Sequence, residues 1–260
     1  MHVVLWPPQH TKAAERPQEF MPITDRTILI VGGATGIGRA TAILAAEQAA
    51  KVIIADTNEP AGAELAASIG APFFHIDVTR EDDVAEMFAS IARSHGKLDA
   101  LIQTAGILQG AFVPIEEFEV ELFRRVLDVN TVGTFLCAKH ATPLLHKGDK
   151  PALILTSSPA AHNAGSSYAY GTSKGGVTAL GITLAGKLAS SGIRVNILYP
   201  GGIHTPLKLS VIEEDARRTG RNFESAVAAS NLGDPHGVAE VLTFLASPAA
   251  DYVRGSIHTR

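Results

Sequence analysis

A tyrosine and a lysine four residues apart are the pair in this sequence that best suits proton transfer. Tyr170 and Lys174 lie in a predicted helix, where residues four apart share a face. An ammonium beside a tyrosine hydroxyl favours the phenolate and lowers the tyrosine pKa from ~10 toward neutrality. The spacing therefore predicts that Tyr170 is a general acid or base, whereas Tyr168 has no lysine four residues further on.

Hydroxyl groups upstream of this pair strengthen the prediction, because the tyrosine–lysine spacing alone also occurs in surface pairs without a function. Thr156, Ser157 and Ser158 end an apolar run that predicts a strand. In an open parallel sheet, ligands bind at the edge formed by the carboxyl ends of the strands. We therefore expect a hydroxyl from this run to project into the same site as Tyr170.

A glycine-rich loop is the second feature that suits a ligand. Residues 31–38, with the sequence VGGATGIG, follow a predicted strand and open a predicted helix. Glycines allow a tight turn and let a pyrophosphate approach the free N–H groups of the helix N-terminus. Asp56 ends the next strand about 20 residues later, where its carboxylate would accept hydrogen bonds from an adenosine ribose. The alternative is a structural turn and a solvated carboxylate.

Asp56 also bears on which dinucleotide would bind. A 2′-phosphate beside a carboxylate is repelled unless an arginine or lysine offsets the charge. Thr35 and Thr57, at the positions convenient for such a cation, are neutral, and Arg39 lies a turn inside the helix. The sequence therefore predicts NAD in preference to NADP.

The elements that must position these residues alternate between strand and helix. Short apolar runs predict strands at 27–31, 51–56, 72–77, 97–105, 152–158 and 194–200, with a seventh in the segment SIHT. The intervening stretches predict helices at 36–50, 59–69, 81–94, 116–145, 167–190 and 234–245. Continuous apolar strands separated by helices predict an α/β fold, a doubly wound Rossmann-type parallel sheet of about seven strands with helices on both faces.

Composition argues against several other classes of protein. The net charge of -4 provides no single-sign field that would attract nucleic acid or an anionic membrane. No window reaches the ~18 consecutive apolar residues of a membrane-spanning helix. Cys137 is the single cysteine, and its apolar surroundings predict a packed side chain, in keeping with a cytoplasmic protein. The scattered histidines lack paired carboxylates at ligand spacing, so no metal site is predicted.

The chain is predicted to form one domain with an extension. Residues 1–24 hold a short apolar run, two prolines and mixed charges, which predict a flexible extension or a start codon upstream of Met21; a docking arm is the alternative. Residues 25–260 show no linker and no repeat, and they predict a single Rossmann-type domain. Residues 203–230 combine an apolar cluster with a strongly charged stretch, which predicts a mobile substrate lid.

Together these motifs resemble those of the short-chain dehydrogenase/reductase family, in its short single-domain branch, over nearly all of residues 25–260. The positions that match its cofactor-binding motifs are Gly32, Thr35, Gly36, Ile37, Gly38, Asp56, Asp77, Val78, Thr104, Ala105, Gly106, Ile203 and Thr205. The positions that match its catalytic residues are Asn130, Ser158, Tyr170 and Lys174, of which Tyr170 and Lys174 also face the cofactor.

The resemblance implies an oxidoreductase that interconverts a secondary alcohol and a ketone, with a small-molecule substrate and NAD as cofactor. It implies that Tyr170 transfers the proton and that Ser158 hydrogen-bonds the substrate oxygen. It also implies that Lys174 holds the nicotinamide ribose and depresses the tyrosine pKa, and that Asn130 anchors a water leading to solvent. A homo-oligomer, either a tetramer or a dimer, is a further implication.

Two other functions were weighed against this one. A dinucleotide-binding sensor or scaffold without catalysis would not need all four catalytic positions, which are intact. In an enoyl reductase, the family resemblance would place the lysine six or seven residues after the tyrosine, where this chain has Gly176 and Val177. The residues do not encode the direction of the reaction, although a preference for NAD favours oxidation.

The sequence departs from the family pattern at several positions. Val31 replaces a threonine and Gln103-Thr104 replaces Asn-Asn, so the hydrogen bonds that brace the glycine loop are expected to change. The common spacing to the tyrosine would select Ser157 as the catalytic serine, whereas the residues after Ser158 match the local pattern better. A D-G-G run is absent after Arg260, which is expected to loosen the last strand or one subunit contact.

The predicted walls of the site favour a neutral, mainly apolar secondary alcohol or ketone, including cyclic ones. Leu207 and Leu209 supply apolar surface from the lid, and Pro159 and Ala160 make the opposite wall small. A carboxylate or phosphate substrate would need a fixed cation, and the sequence offers no evident one apart from Lys208. His162, close to the serine, is a further candidate for lining the pocket.

Overall fold

The structure is a computed structural model, and it describes residues 23–163 and 166–259. The predicted N-terminal extension lies outside the described residues up to position 22. Ile23, where the description begins, is fully buried in the core, so packing already starts before the predicted domain boundary at residue 25.

Within these two ranges, seven parallel strands form one sheet in the order β3-β2-β1-β4-β5-β6-β7. They are β1 (Thr27–Val31), β2 (Lys51–Asp56), β3 (Phe73–His75), β4 (Ala100–Gln103), β5 (Ala152–Thr156), β6 (Arg194–Tyr199) and β7 (Gly255–His258). The strand order reverses between β1 and β4, which pair directly with Val31 opposite Gln103. The predicted doubly wound sheet is thereby confirmed, and its topological switch point lies at the carboxyl ends of β1 and β4.

Helices cover both faces of this sheet. The α-helices of the described residues are α1 (Gly36–Glu47), α2 (Glu59–Ile69), α3 (Glu81–His95), α4 (Val120–Leu127), α5 (Gly133–Leu145), α6 (Tyr168–Leu188), α7 (Pro206–Thr219), α8 (Phe223–Ala229) and α9 (Pro235–Ala246). Alternate strand residues enter opposite cores, as the period of two in a strand requires. Leu29 and Leu101 belong to one core and Ile28 and Ile102 to the other.

The helix predicted at 116–145 is divided in the structure. A 3-10 turn (Ile115–Glu117) and α4 precede a π-helical turn (Asp128–Val132), which leads into α5. A π-helical turn shifts the register of the side chains that follow it, and such turns are frequent at functional sites. Asn130 lies in the middle of this turn and is fully buried.

No helix within the two described ranges combines the length and the apolar character needed to cross a membrane.

Candidate active site

A cleft of about 700 Å³ opens at the carboxyl ends of β1 and β4, where the strand order reverses. Its walls contain every residue predicted from the sequence to contact a cofactor or to take part in catalysis, apart from Asn130. Asn130 lies directly behind the wall, because a Cβ on the lining residue Gly106 would come 3.2 Å from the Asn130 Oδ1 atom. Packing at the switch point therefore brings the predicted site residues together.

The glycine loop (residues 31–38) forms a backbone cradle on one side of the cleft. Gly32 has a φ of +82°, and a Cβ there would lie 2.4 Å from the backbone nitrogen of Ala105. A Cβ on Gly38 would lie 2.1 Å from the carbonyl oxygen of Gly32. A side chain at either position would collide with the backbone that packs against the loop, so only glycine allows the tight turn that lets a pyrophosphate approach the start of α1. The loop therefore fits a dinucleotide.

Asp56 and Thr104 brace this loop. The Asp56 carboxylate accepts hydrogen bonds from the Ala34 amide through Oδ2 and from the Asn58 amide through Oδ1, each 2.9 Å long. The Thr104 hydroxyl lies 2.9 Å from the Val31 carbonyl oxygen and 3.1 Å from that of Gly32. The departure from the Asn-Asn pattern thus leaves the loop braced, because the threonine hydroxyl supplies a donor.

The predicted catalytic side chains of α6 are buried at the floor of the cleft. Tyr170 is 9% exposed and hydrogen-bonds to the Ser158 hydroxyl. The Lys174 ammonium lies 5.6 Å from the centroid of the Tyr170 ring and donates a 2.8 Å hydrogen bond to the Thr156 carbonyl oxygen. The arrangement places an acid/base hydroxyl, a hydrogen-bonding hydroxyl and a cation next to one another.

Burial changes the pKa values of this pair in a direction that the sequence did not predict. Desolvation raises the pKa of Tyr170 above 10, and the hydrogen bond with Ser158 opposes that increase. Desolvation also lowers the pKa of Lys174 to about 8. Burial is the largest cause acting on both groups, and the role of Lys174 in stabilising the phenolate stays a prediction.

The two candidate serines have separate surroundings. The Ser157 hydroxyl is buried and lies 2.9 Å from both the Lys174 carbonyl oxygen and the Thr178 hydroxyl. The Ser158 hydroxyl bonds to Tyr170 and accepts a 3.2 Å hydrogen bond from the Ala160 amide. The geometry thus brings Ser158, and not Ser157, into contact with the tyrosine hydroxyl.

Asn130 connects the loop after β4 with α6. Its Oδ1 atom accepts from the Ile107 amide at 2.8 Å, and its Nδ2 atom donates to the Ile107 carbonyl at 2.9 Å. The same Nδ2 atom lies 2.9 Å from the Ser173 hydroxyl. A Cβ on Gly106 would lie 3.4 Å from the Lys174 Nζ atom, so the side chains of Asn130 and Lys174 both approach this glycine.

The lid region (residues 203–230) forms the outer wall. Thr205 caps the start of α7, and a Cβ on Gly36 would lie 3.1 Å from the Thr205 methyl group, so the lid begins against the glycine loop. The lid helices bury a small cluster of their own, separate from the two main cores, formed by Ile212, Ala216 and Ala226. The Arg218 guanidinium lies 4.9 Å from the centroid of the Phe112 ring, which joins α7 to the loop after β4.

Sequence reasoning missed one charged residue at this site, and one candidate for its lining lies elsewhere. Arg125, an exposed residue of α4, lines the cleft together with Lys208, so the wall carries a second cation. The sequence signal available for Arg125 was its position five residues before Asn130. His162 is absent from the lining of the cleft; its ring packs on Tyr199 instead. Among the described residues, no cluster of histidine, cysteine and carboxylate side chains could hold a metal ion.

A family model described as enoyl-(acyl carrier protein) reductase matches residues 32–259. Tropinone reductase-like 2 of Erythroxylum coca is 38% identical over 242 residues, which cover 88% of this chain and 86% of that protein. A 2,5-dichloro-2,5-cyclohexadiene-1,4-diol dehydrogenase of Sphingobium indicum is 34% identical over 238 residues, covering 90% of this chain and 94% of that protein.

A similar solved structure is that of the Thermoplasma acidophilum aldohexose dehydrogenase in its ligand-free form. It superposes with a TM-score of 0.81 at 27% sequence identity, covering 91% of this chain and 93% of that chain. Fold and sequence comparisons therefore agree.

Proposed function

We propose a catalytic mechanism and a substrate class for a chain that belongs to the short-chain dehydrogenase/reductase family. The protein is an oxidoreductase that interconverts an alcohol and a ketone with a nicotinamide dinucleotide. The observation that carries the mechanism is the contact between Ser158 and Tyr170 above Lys174, beside the glycine loop.

Hydride transfer is the chemistry that the dinucleotide supplies when it is bound. The protein contributes the proton and the positioning. Tyr170 gives its proton to the ketone oxygen or takes it from the alcohol, and Ser158 hydrogen-bonds the same oxygen as its charge changes. The buried Lys174 ammonium lies near enough to stabilise the phenolate that forms when Tyr170 loses its proton.

We propose that the protein binds NAD in preference to NADP, and that Asp56 causes this preference. Its carboxylate is fixed by two backbone amides at the end of β2, and it lines the cleft. A fixed negative charge at this position repels a 2′-phosphate, and the neighbouring Thr35 and Thr57 offer no compensating cation. The free hydroxyls of an NAD ribose can instead donate to this carboxylate.

We propose that the substrate is a neutral, mainly apolar and cyclic secondary alcohol or ketone. Ile107, Leu108, Pro159, Ala160 and Leu207 give the cleft its apolar walls. The two cations of the lining besides Lys174 are not buried, because Arg125 is exposed and Lys208 half-buried, so neither is a desolvated partner for a substrate anion. The similarity to a dehydrogenase named for a dichlorocyclohexadiene diol supports a cyclic alcohol. Residues 203–230 would then act as the lid that covers it.

Two alternatives have weaker support. A silent binding protein would not need the buried Ser158–Tyr170 contact. The matching family model is described as an enoyl-(acyl carrier protein) reductase, yet the relatives include reductases and dehydrogenases of other compounds. Lys174 is four residues after Tyr170, which we take to favour alcohol chemistry over reduction of a carbon–carbon double bond.

We also propose that the protein is a cytoplasmic homo-oligomer, with a tetramer preferred to a dimer. Phe135 on α5 and Ile182 on α6 expose 48% and 62% of their surface, which suits burial against another copy. The mass in solution, measured by light scattering, distinguishes a monomer from either oligomer.

A substrate panel tests the proposed function. The purified protein is assayed with NAD against cyclic alcohols, sterols, polyols, sugars and hydroxy acids, and in reverse with NADH against ketones and an enoyl thioester. We expect turnover of neutral cyclic alcohols. A preference for a sugar or a charged hydroxy acid would contradict the substrate class, and turnover of the enoyl thioester alone would contradict the reaction.

A further inference from the structure

Three aromatic side chains from separate parts of the chain pack together beside the turn that carries Ser158. Two of the rings are stacked, and the third, His162, is tilted by 34° against Tyr199. His162 follows the 3-10 turn (Pro159–Ala161), Tyr199 ends β6, and His258 ends β7. The Tyr199 and His258 rings are 4.5 Å apart between centroids, with an angle of 11° between their planes. The His162 ring lies 5.2 Å from that of Tyr199 and 6.5 Å from that of His258. We call these three residues the aromatic stack.

The central ring of the stack is fixed from several sides. Tyr199 is 1% exposed, and its hydroxyl donates a 3.2 Å hydrogen bond to the Thr178 hydroxyl. The Ser256 hydroxyl of β7 lies 3.5 Å from the same oxygen. The Thr178 hydroxyl in turn donates to the Lys174 carbonyl oxygen at 2.9 Å. The stack is therefore attached to the helix that carries Tyr170 and Lys174.

Backbone hydrogen bonds connect the residues between Ser158 and His162, so a displacement of His162 would also move Ser158. The Ser158 carbonyl accepts from the Ala161 amide at 3.0 Å, and the Pro159 carbonyl accepts from the His162 amide at 2.9 Å. None of the residues Pro159–Ala161 is buried, and the turn lies against α6, where a Cβ on Gly171 would come 3.2 Å from the Ala160 carbonyl oxygen. The His162 ring, resting on a fixed tyrosine, provides a tertiary contact at its far end.

We propose that the aromatic stack positions the Ser158 hydroxyl for the reaction, and that His162 is a positioning residue which acts through Ser158. This inference rests on the proposed function, in which Ser158 hydrogen-bonds the substrate oxygen. Displacement of a catalytic group by a fraction of an ångström lowers the rate without removing any reacting atom. The aromatic surface of the ring, and not its charge, is the property that matters.

Truncation and repair of the ring test this proposal. In His162→Ala, kcat/KM should fall about three- to tenfold, a ratio of the size that one aromatic contact provides. Most of the loss should be in kcat, and the NADH dissociation constant from fluorescence titration should stay within about twofold of that of the unaltered protein. His162→Phe should restore activity, because it restores the stacked ring. His236→Ala, at an exposed histidine of α9, is the matched control and should change nothing.

A double-mutant cycle separates positioning from general support of the fold. If His162 acts through Ser158, then His162→Ala should have no further effect on kcat in a Ser158→Ala background. Independent, multiplying losses in the double variant would overturn the role of the stack while leaving the role of Ser158 intact. Full activity of Ser158→Ala alone would overturn the role of that serine, and this proposal with it.

Melting temperatures distinguish a loss of positioning from a loss of folded protein. His162 and His258 are both exposed, so His162→Ala and His258→Ala should each keep the melting temperature within about 2 °C of the original. His258→Ala, at the other end of the stack, should give a smaller loss of kcat than His162→Ala. A fall in melting temperature accompanied by weaker NADH binding, or failure of His162→Phe to restore kcat, would contradict the proposal.

Discussion

The wall of the cleft built by the glycine loop is held by the backbone of the sheet, whereas the lid wall rests on a small cluster of its own. In the glycine loop, the tight turn exists because Gly32 and Gly38 lack side chains that would collide with neighbouring backbone, and because Asp56 and Thr104 bind backbone atoms. In the lid, a minor cluster and one cation–π contact supply the packing. The comparison suggests that binding of the cofactor requires exact backbone geometry, while the substrate wall tolerates change.

Tyr170, the proposed proton donor and acceptor, lines the same cleft, and loss of its hydroxyl should have the largest effect. Tyr170→Phe keeps the packing of the ring but removes the proton, so kcat should fall by ~10²–10⁴. The NADH dissociation constant should remain close to that of the unaltered protein, because the glycine loop and Lys174 are unchanged. Stopped-flow or steady-state rates, together with a fluorescence titration, measure both quantities. A Phe variant with ordinary rates would show that another group transfers the proton.

A single methyl group in the glycine loop should be the next most damaging change. In Gly38→Ala the new Cβ would lie 2.1 Å from the Gly32 carbonyl oxygen, so the backbone has to move. Overpacking of this kind costs about 1–3 kcal/mol, and a loss of that size in binding corresponds to about fivefold to 150-fold weaker NADH binding. Gly186→Ala, in α6 with no atom within 4 Å of the new Cβ, is the control and should bind NADH normally. Normal binding by Gly38→Ala would contradict the rigid cradle.

Cofactor choice should respond to charge at the end of β2. The unaltered protein should bind NADH at least about tenfold more tightly than NADPH, a difference of about 1.4 kcal/mol. The double variant Asp56→Ala, Thr57→Arg removes the repulsion of the 2′-phosphate and adds a cation. Its NADH and NADPH affinities should therefore become similar or reverse in order. Because Asp56 also accepts from the Ala34 amide, Asp56→Asn is needed as a variant that keeps an acceptor. Equal affinities in the unaltered protein would refute the assignment.

The smallest effect is expected at the lid. Phe112→Ala removes the ring beneath Arg218, and an exposed cation–π contact contributes about 0.5–1 kcal/mol, or about two- to fivefold. The substrate KM should rise by that factor while NADH binding stays unchanged, because the contact lies on the lid wall alone. Phe112→Leu keeps an apolar side chain without the π face and should behave like the alanine variant. If NADH binding weakened by the same factor, the lid wall and the glycine-loop wall would be coupled, and the proposed difference between them would be wrong.

Much of the fold followed from local patterns. The bounds of β1, β2 and α2 agree with the predicted ones, because continuous β-branched runs and terminal glycines act over a few residues. The third and fourth strands are shorter than predicted, since only part of each apolar run finds a partner in the sheet. The π-helical turn around Asn130 had no signal in the amphipathic pattern of 116–145.

The sequence by itself determined the doubly wound fold, the glycine cradle and the list of residues that could do chemistry, because these depend on residue type and spacing. Only the tertiary structure decided that Ser158 contacts Tyr170 while Ser157 binds Thr178, since neighbouring residues of an extended chain point in opposite directions and a shift of one position exchanges them. It also decided the direction in which the pKa values of the pair are shifted, because desolvation of Tyr170 and Lys174 depends on what packs around them.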